Sequence, residues 1–106
     1  MKLAVIGTGY VGLVTGVCFA EYGNTVICVD NDRAKVDALN AGRIPIYEPG
    51  LSEMVAHNKA IGSLAFTDDI ASALSHADLC FICVGTPQAD DGRTDLGYVL
   101  GVAAEI

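Results

Sequence analysis

Tryptophan is missing altogether and positive charge is scarce: six Lys and Arg stand against 13 Asp and Glu, a formal charge of −7 over 106 residues. Without clustered basic residues the chain offers no surface for nucleic acid or for an anionic membrane. A phosphate-bearing ligand stays open, because backbone amides hold phosphate without net positive charge. Long hydrophobic runs are missing too. The longest, such as residues 79–84, fall far short of the ~20 apolar residues a bilayer-spanning helix needs. Met1-Lys2 leads straight into a short aliphatic stretch and then glycines, with no extended apolar region and no small-residue cleavage site. No secretory signal is expected, and the cytoplasm is the expected compartment.

What is present suits a packed domain. Hydrophobic residues make up 52% of the chain and charged ones 18%, with a mean hydropathy of +0.44, which excludes a disordered chain. A length of 106 residues is that of one domain, which buries roughly 65% of the surface its unfolded form exposes. Of the four cysteines, Cys18, Cys28, Cys80 and Cys83, all lie in apolar runs, as free buried cysteines do. Cys80 and Cys83 have C-x-x-C spacing, but in a strand residues three apart point to opposite faces. No second such pair or His pair completes a zinc site. Buried core residues are the expectation.

Short aliphatic runs alternate with helix-compatible segments. Strands are expected at residues 2–6, 25–29, 64–66 and 79–84; helices at 10 or 11 to about 22, 31 or 32 to 40, 51 to about 59, and 68 or 69 to 75. Gly23-Asn24 and Gly42 stand in helix-stop positions, and 43–50 is an irregular connection carrying Pro45 and Pro49. The run 79–84 lacks alternation, as in strands covered by helices on both faces. Strand–helix repetition yields a parallel sheet with right-handed crossovers. The expected fold is α/β: a Rossmann-type doubly wound parallel sheet of strand order 3-2-1-4, with four of the usual six strands readable. Residues 96–106 form an apolar, helix-compatible stretch that stops at Glu105-Ile106 without a capping signal. The chain therefore reads as an incomplete N-terminal domain, 1–106, of something longer.

Gly7-Thr8-Gly9-Tyr10-Val11-Gly12 fits G-x-G-x-x-G. Alone the string is weak; a strand before it, a helix after it and an acid at the end of the next strand give it meaning. Gly7 turns the chain sharply, Gly9 lets a pyrophosphate approach the backbone, and Gly12 lets the helix lie close to the sheet. The free amides and the helix dipole then face the phosphates. Asp30 follows Gly12 by 18 positions, close to the ~20 expected of the acid that accepts from the adenosine ribose hydroxyls. Its charge repels a 2′-phosphate and favours NAD over NADP, although Arg33 and Lys35 stand near enough in sequence to receive one. Capping of the next helix is the other reading of Asp30, and one residue can do both. Thr86, in Gly85-Thr86-Pro87 after the fourth strand, is placed beyond the switch point between strands 1 and 4, where ligands sit.

These residues resemble the UDP-glucose/GDP-mannose 6-dehydrogenase family, nearest its bacterial UDP-glucose members. Beyond the glycine loop the likeness rests on Pro45-Ile46-Tyr47-Glu48-Pro49-Gly50-Leu51, on Phe81-Ile82-Cys83-Val84-Gly85-Thr86-Pro87, and on Asp91-Gly92 leading to Asp95-Leu96. It implies NAD contacts at Tyr10, Val11, Asp30, Lys35 and Thr86. It also implies oxidation of a nucleotide sugar's C6 alcohol to a carboxylate by two NAD+, through a covalent thiohemiacetal, in a homo-oligomer. The family's cysteine lies in a glycine-rich Cys-Phe-Pro segment, absent here with its lysine and aspartate partners, so no catalytic residue is expected in this chain and no turnover from it alone. Two other readings stay open: a regulatory NAD-binding module without chemistry, and another dehydrogenase such as a 3-hydroxyacid enzyme. Glu48 either faces the ligand cleft or forms a turn. Asp90, Asp91 and Asp95 lack the spacing of a calcium loop; Asp91-Gly92 reads as a turn, with Thr94 or Asp95 capping the next helix. His57 and His76 read as surface residues, and no metal is expected.

Overall fold

The computed structural model describes residues 1–44 and 48–83. The expectations placed on 45–47 and on 84–106, Thr86 and the 96–106 helix among them, lie outside the described residues. Eight elements follow one another: β1 (Lys2–Ile6), α1 (Tyr10–Glu21), β2 (Thr25–Val29), α2 (Arg33–Asn40), α3 (Leu51–Ala60), β3 (Leu64–Thr67), α4 (Ile70–His76) and β4 (Leu79–Ile82). The strands form one parallel sheet, as the alternation of elements predicts, in the order β3-β2-β1-β4 usual for a Rossmann-type sheet.

Strand periodicity divides the core between two faces. Leu3 and Val5 of β1 join Val26 and Cys28 of β2 and Leu64 and Phe66 of β3 beneath α1, α2 and α3. Ala4, Ile6 and Val29 pack on the other face with Ala73 of α4. Because both faces are covered, the strands read as continuous apolar runs rather than alternating ones. Cys83 packs with the first cluster and Cys80 with the second, so the C-x-x-C pair is divided by the sheet.

The fourth strand, expected to be covered on both faces, departs from expectation. Leu79 is 48% exposed, and Cys80, Phe81 and Ile82 are half-buried. Among the described residues β4 pairs only with β1, so one flank has no strand beside it. The cysteines divide accordingly: Cys28, in an inner strand, is buried, while Cys18, Cys80 and Cys83 are half-buried. Cys18 lies off the stripe of α1 (Gly12, Leu13, Gly16, Val17, Ala20) that meets the sheet.

The helix ends carry their signals. Asp32 caps α2, its carboxylate accepting from the amides of Ala34 (3.0 Å) and Lys35 (3.3 Å). The cap is therefore Asp32, one of the two starts expected for this helix, and Asp30 is left for other work. At the far end the Gly42 amide donates to Leu39 O (3.1 Å) and that of Arg43 to Ala38 O (2.8 Å), a Schellman closure. Asp69 caps α4 through Ser72 N (3.1 Å). Buried Asn58 of α3 donates to Glu21 of α1 at 2.7 Å, tying two helices on one face.

α1 sits directly on the sheet because two of its sheet-facing residues are glycines. A Cβ on Gly12 would run into the carbonyl of Gly7 and come within 3.2 Å of Cys83 Cβ; one on Gly16 would lie 2.6 Å from Cys28 Sγ. The obstacle at Gly12 is backbone, which cannot swing aside. Replacing Gly12 by Ala should therefore cost about 1–3 kcal/mol, the usual range for overpacking. Thermal unfolding should show a midpoint lowered by at least ~4 °C, and an unchanged midpoint would refute the tight seating.

Candidate functional site

The carboxyl ends of β1, β2 and β4 converge. The Gly7 amide donates to Val29 O (2.7 Å) and the Cys83 amide to Ile6 O (2.7 Å), so pairing continues one step past β1 on both sides. Gly7 then turns the chain with φ +104°, a value that L side chains rarely adopt. Thr8 follows, 1% exposed, and Gly9 stands at the N-cap of α1 with no side-chain cap hydrogen bond.

The first amides of any helix lack intrahelical acceptors. Here those of Gly9, Tyr10, Val11 and Gly12 find none among the described residues. A Cβ built on Gly9 would meet nothing within 4 Å among the described residues, so these leave the space beside the N-cap open. Tyr10 and Val11 are 56% and 65% exposed in the same first turn. A helix N-terminus with unsatisfied donors and a clear approach suits a diphosphate.

Asp30 lies one residue beyond β2, with its side chain turned toward the glycine loop. Its Oδ2 accepts from the Thr8 hydroxyl (2.6 Å) and the Thr8 amide (3.1 Å), its Oδ1 from the Asp32 amide (2.9 Å). Lys35 Nζ stands 3.6 Å from Oδ2, and the Asp30 side chain is 11% exposed. Burial pushes its pKa up, but the Thr8 hydroxyl, the Asp32 and Thr8 amides and the Lys35 charge outweigh it, leaving a net value below the usual carboxylate range. The group is an ionised acceptor held against the loop.

The two neighbouring cations part company. Arg33 pairs with Asp37 (3.0 Å) and Asp68 (3.1 Å) and is drawn away from Asp30, whereas Lys35 joins it. Glu48 is brought against the loop: the Tyr10 hydroxyl donates to its Oε2 at 3.0 Å, and that bond and the nearby charge raise the Tyr10 pKa. His57 is exposed and His76 partly so, with Nε2 3.5 Å from Thr25 O. Burial drives the Cys28 thiol up to about 12 and also raises Cys80 and Cys83, the reverse of what a nucleophilic thiolate requires.

The structure thus brings together Gly7, Gly9, Tyr10, Val11, Gly12, Asp30 and Lys35 at one end of the sheet, while Thr86 lies outside the described residues. Thr8 escaped the sequence reading. Its signal was a hydroxyl residue between two glycines, just beyond the Ile6–Val29 register pair that precedes Asp30 on the neighbouring strand. A dinucleotide fits the residues described: among them are open space, unpaired amides and an ionised carboxylate able to accept from hydroxyls.

Comparison with known proteins agrees. Residues 1–106 match the NAD-binding domain model of the UDP-glucose/GDP-mannose dehydrogenase family. The UDP-glucose 6-dehydrogenase of Rhizobium meliloti (strain 1021) is 55% identical over 107 residues, covering 100% of this chain and 24% of that protein. The GDP-mannose 6-dehydrogenase of Pseudomonas aeruginosa is 42% identical over 106 residues, with the same coverage. Among solved structures, a ternary complex of Pseudomonas aeruginosa GDP-mannose dehydrogenase superimposes with a TM-score of 0.95 at 42% identity, covering 100% of this chain and 24% of that one. The UDP-glucose dehydrogenase of Pyrobaculum islandicum gives 0.90 at 44% identity, covering 95% and 23%. The chain thus spans about a quarter of the length of these relatives. With its glycine loop, its acid after β2 and a match running from first residue to last, the chain belongs to the UDP-glucose/GDP-mannose dehydrogenase family, as an NAD-binding domain.

Proposed function

We propose that this chain binds NAD+ across the β1/β2 end of the sheet, for a protein that oxidises the C6 alcohol of UDP-glucose to the carboxylate. The observation that carries the reading is Asp30, held ionised beside first-turn amides of α1 that have no partner among the described residues. The diphosphate rests on the amides of Gly9 to Gly12, and the turn at Gly7 sets their direction. Asp30 accepts from the adenosine ribose hydroxyls, and its charge disfavours a 2′-phosphate. Lys35 keeps that charge balanced and Tyr10 and Val11 flank the ligand from the first turn; Thr86 is assigned to the ligand by the family resemblance alone. When bound, NAD+ supplies the hydride acceptor, and oxidation of an alcohol to a carboxylate needs two of them.

The sugar substrate and the cysteine chemistry belong to segments this chain does not contain, so the chain by itself binds and does not turn over. UDP-glucose is preferred over GDP-mannose because the UDP-glucose relative shares 55% identity and the GDP-mannose one 42%. No helix among the described residues is long and apolar enough to cross a membrane. We place the protein in the cytoplasm as a homo-oligomer, the latter on the family resemblance.

Calorimetric titration should show NAD+ bound more tightly than NADP+, with Asp30→Ala weakening NAD+ about 10-fold or more and shrinking the preference; an unchanged preference would remove Asp30 from the site. Gly9→Ala makes a second test. Its backbone (φ −70°, ψ −168°) accepts any residue, and among the described residues the new Cβ has no neighbour within 4 Å. The melting temperature should hold while NAD+ affinity falls, and undiminished affinity would place the diphosphate elsewhere. In the protein that carries this chain, absorbance at the NADH band should rise with UDP-glucose and less with GDP-mannose; the reverse order would reassign the sugar.

A further inference from the structure

Thr8 is a buried polar side chain in a loop otherwise open to ligand. Its hydroxyl donates at 2.6 Å to Oδ2 of Asp30, and its amide donates to the same oxygen at 3.1 Å. A carboxylate oxygen has about two lone-pair directions, so these two donors fill Oδ2, with Lys35 Nζ a further 3.6 Å neighbour. Among the described residues Oδ1 accepts one bond, from the Asp32 amide at 2.9 Å, and keeps a direction free of them. The two oxygens are therefore unequal: one is anchored to the glycine loop, the other is still able to accept.

We propose that Thr8 is a positioning residue for dinucleotide recognition, locking Oδ2 of Asp30 to the loop so that Oδ1 is presented to the adenosine ribose diol. The proposal rests on the reading of Asp30 as the ribose acceptor and adds the group that aims it. An Asp side chain turns about χ1 and χ2, and one anchored at a single point keeps that freedom. With Oδ2 bound through both a side-chain and a main-chain donor of one residue, rotation of the carboxylate would break two bonds at once. The same contact couples the phosphate cradle to the ribose acceptor, because Thr8 lies between the turn at Gly7 and the N-cap at Gly9. The charged groups around Asp30 are few: Lys35 from α2 approaches Oδ2, while the Asp32 carboxylate is turned to the Ala34 and Lys35 amides. The hydroxyl is thus the principal neutral donor holding the acid.

Thr8→Val and Thr8→Ser separate aiming from packing. Val keeps the volume and loses the donor; Ser keeps the donor and loses the methyl. NAD+ and NADP+ affinities are measured by calorimetry on the wild-type chain and both variants, with melting temperatures alongside. Thr8→Val should bind NAD+ about 10-fold more weakly and with a reduced preference over NADP+, while Thr8→Ser should stay within about 2-fold of wild type. The opposite ranking, with Val neutral and Ser impaired, would overturn the proposal in favour of a packing role. Should Thr8→Val unfold, Thr8→Ala removes the same hydroxyl without adding a contact and serves in its place.

A ligand-free measurement distinguishes failure of this inference from failure of the Asp30 assignment. Carbon-detected NMR follows titration of the Asp30 carboxyl, which in the wild type lies below the usual range. Stabilisation from a depressed carboxyl is present above the unfolded-state pKa and is lost as pH falls through the folded one. Removing the hydroxyl should move the Asp30 midpoint upward and narrow that window, and Thr8→Ser should restore it. An Asp30 midpoint unmoved by Thr8→Val would overturn the coupling even if NAD+ binding were confirmed. A wild type without NAD+ preference would instead remove the cofactor reading, and with it the diol this inference invokes.

Discussion

α1 can begin where it does only because no side-chain atom stands between Gly12 and the Gly7 carbonyl. That clearance sets the first turn of the helix against the end of β1, and the rest of the site follows from it. The turn at Gly7, paired to Val29 O, delivers Thr8 to the end of β2, where Asp30 waits. With the helix displaced outward by a methyl group, the amides of the first turn would no longer stand beside that carboxylate. The site is a consequence of close packing before it is a consequence of charge.

The electrostatics look paradoxical for a chain of charge −7 offered to an anionic ligand. They are resolved locally. The phosphate partners proposed for it are main-chain amides and a helix dipole, which carry no formal charge and are aimed by the backbone. Asp30 is engaged by four donors or cations, so its own negative potential is spread over Thr8, Asp32 and Lys35. Arg33, which a phosphate would otherwise attract, is held by two carboxylates, Asp37 and Asp68. Such exposed ion pairs contribute little stability, about 0–1 kcal/mol, and here their consequence is where they direct the cation.

Much of the fold was legible because it is written in local patterns. Apolar runs bounded by glycine marked the strands, and Asp or Gly at the right offsets marked the ends of α2 and α4. The order 3-2-1-4 was expected from the usual pattern of a doubly wound sheet. Burial along β4 was misjudged, since a run of apolar residues shows what a strand could bury and not which neighbours stand beside it. The acid after β2 was found by counting, whereas its partner Thr8 was not, because a threonine between two glycines looks like any other turn residue.

By itself, then, the sequence determined the alternation of elements, the glycine loop at the start of the first crossover and the acid one strand away. These depend on periodicity and on chain spacing, which are properties of neighbours along the backbone. Only the tertiary structure decided that Thr8 meets Asp30 across 22 positions, Arg33 meets Asp68 across 35, Asn58 meets Glu21 across 37 and Tyr10 meets Glu48 across 38. Each of those depends on a rotamer chosen where two distant segments pack. No local rule fixes such a choice, because the competing partners of a side chain come into range only when the chain has folded.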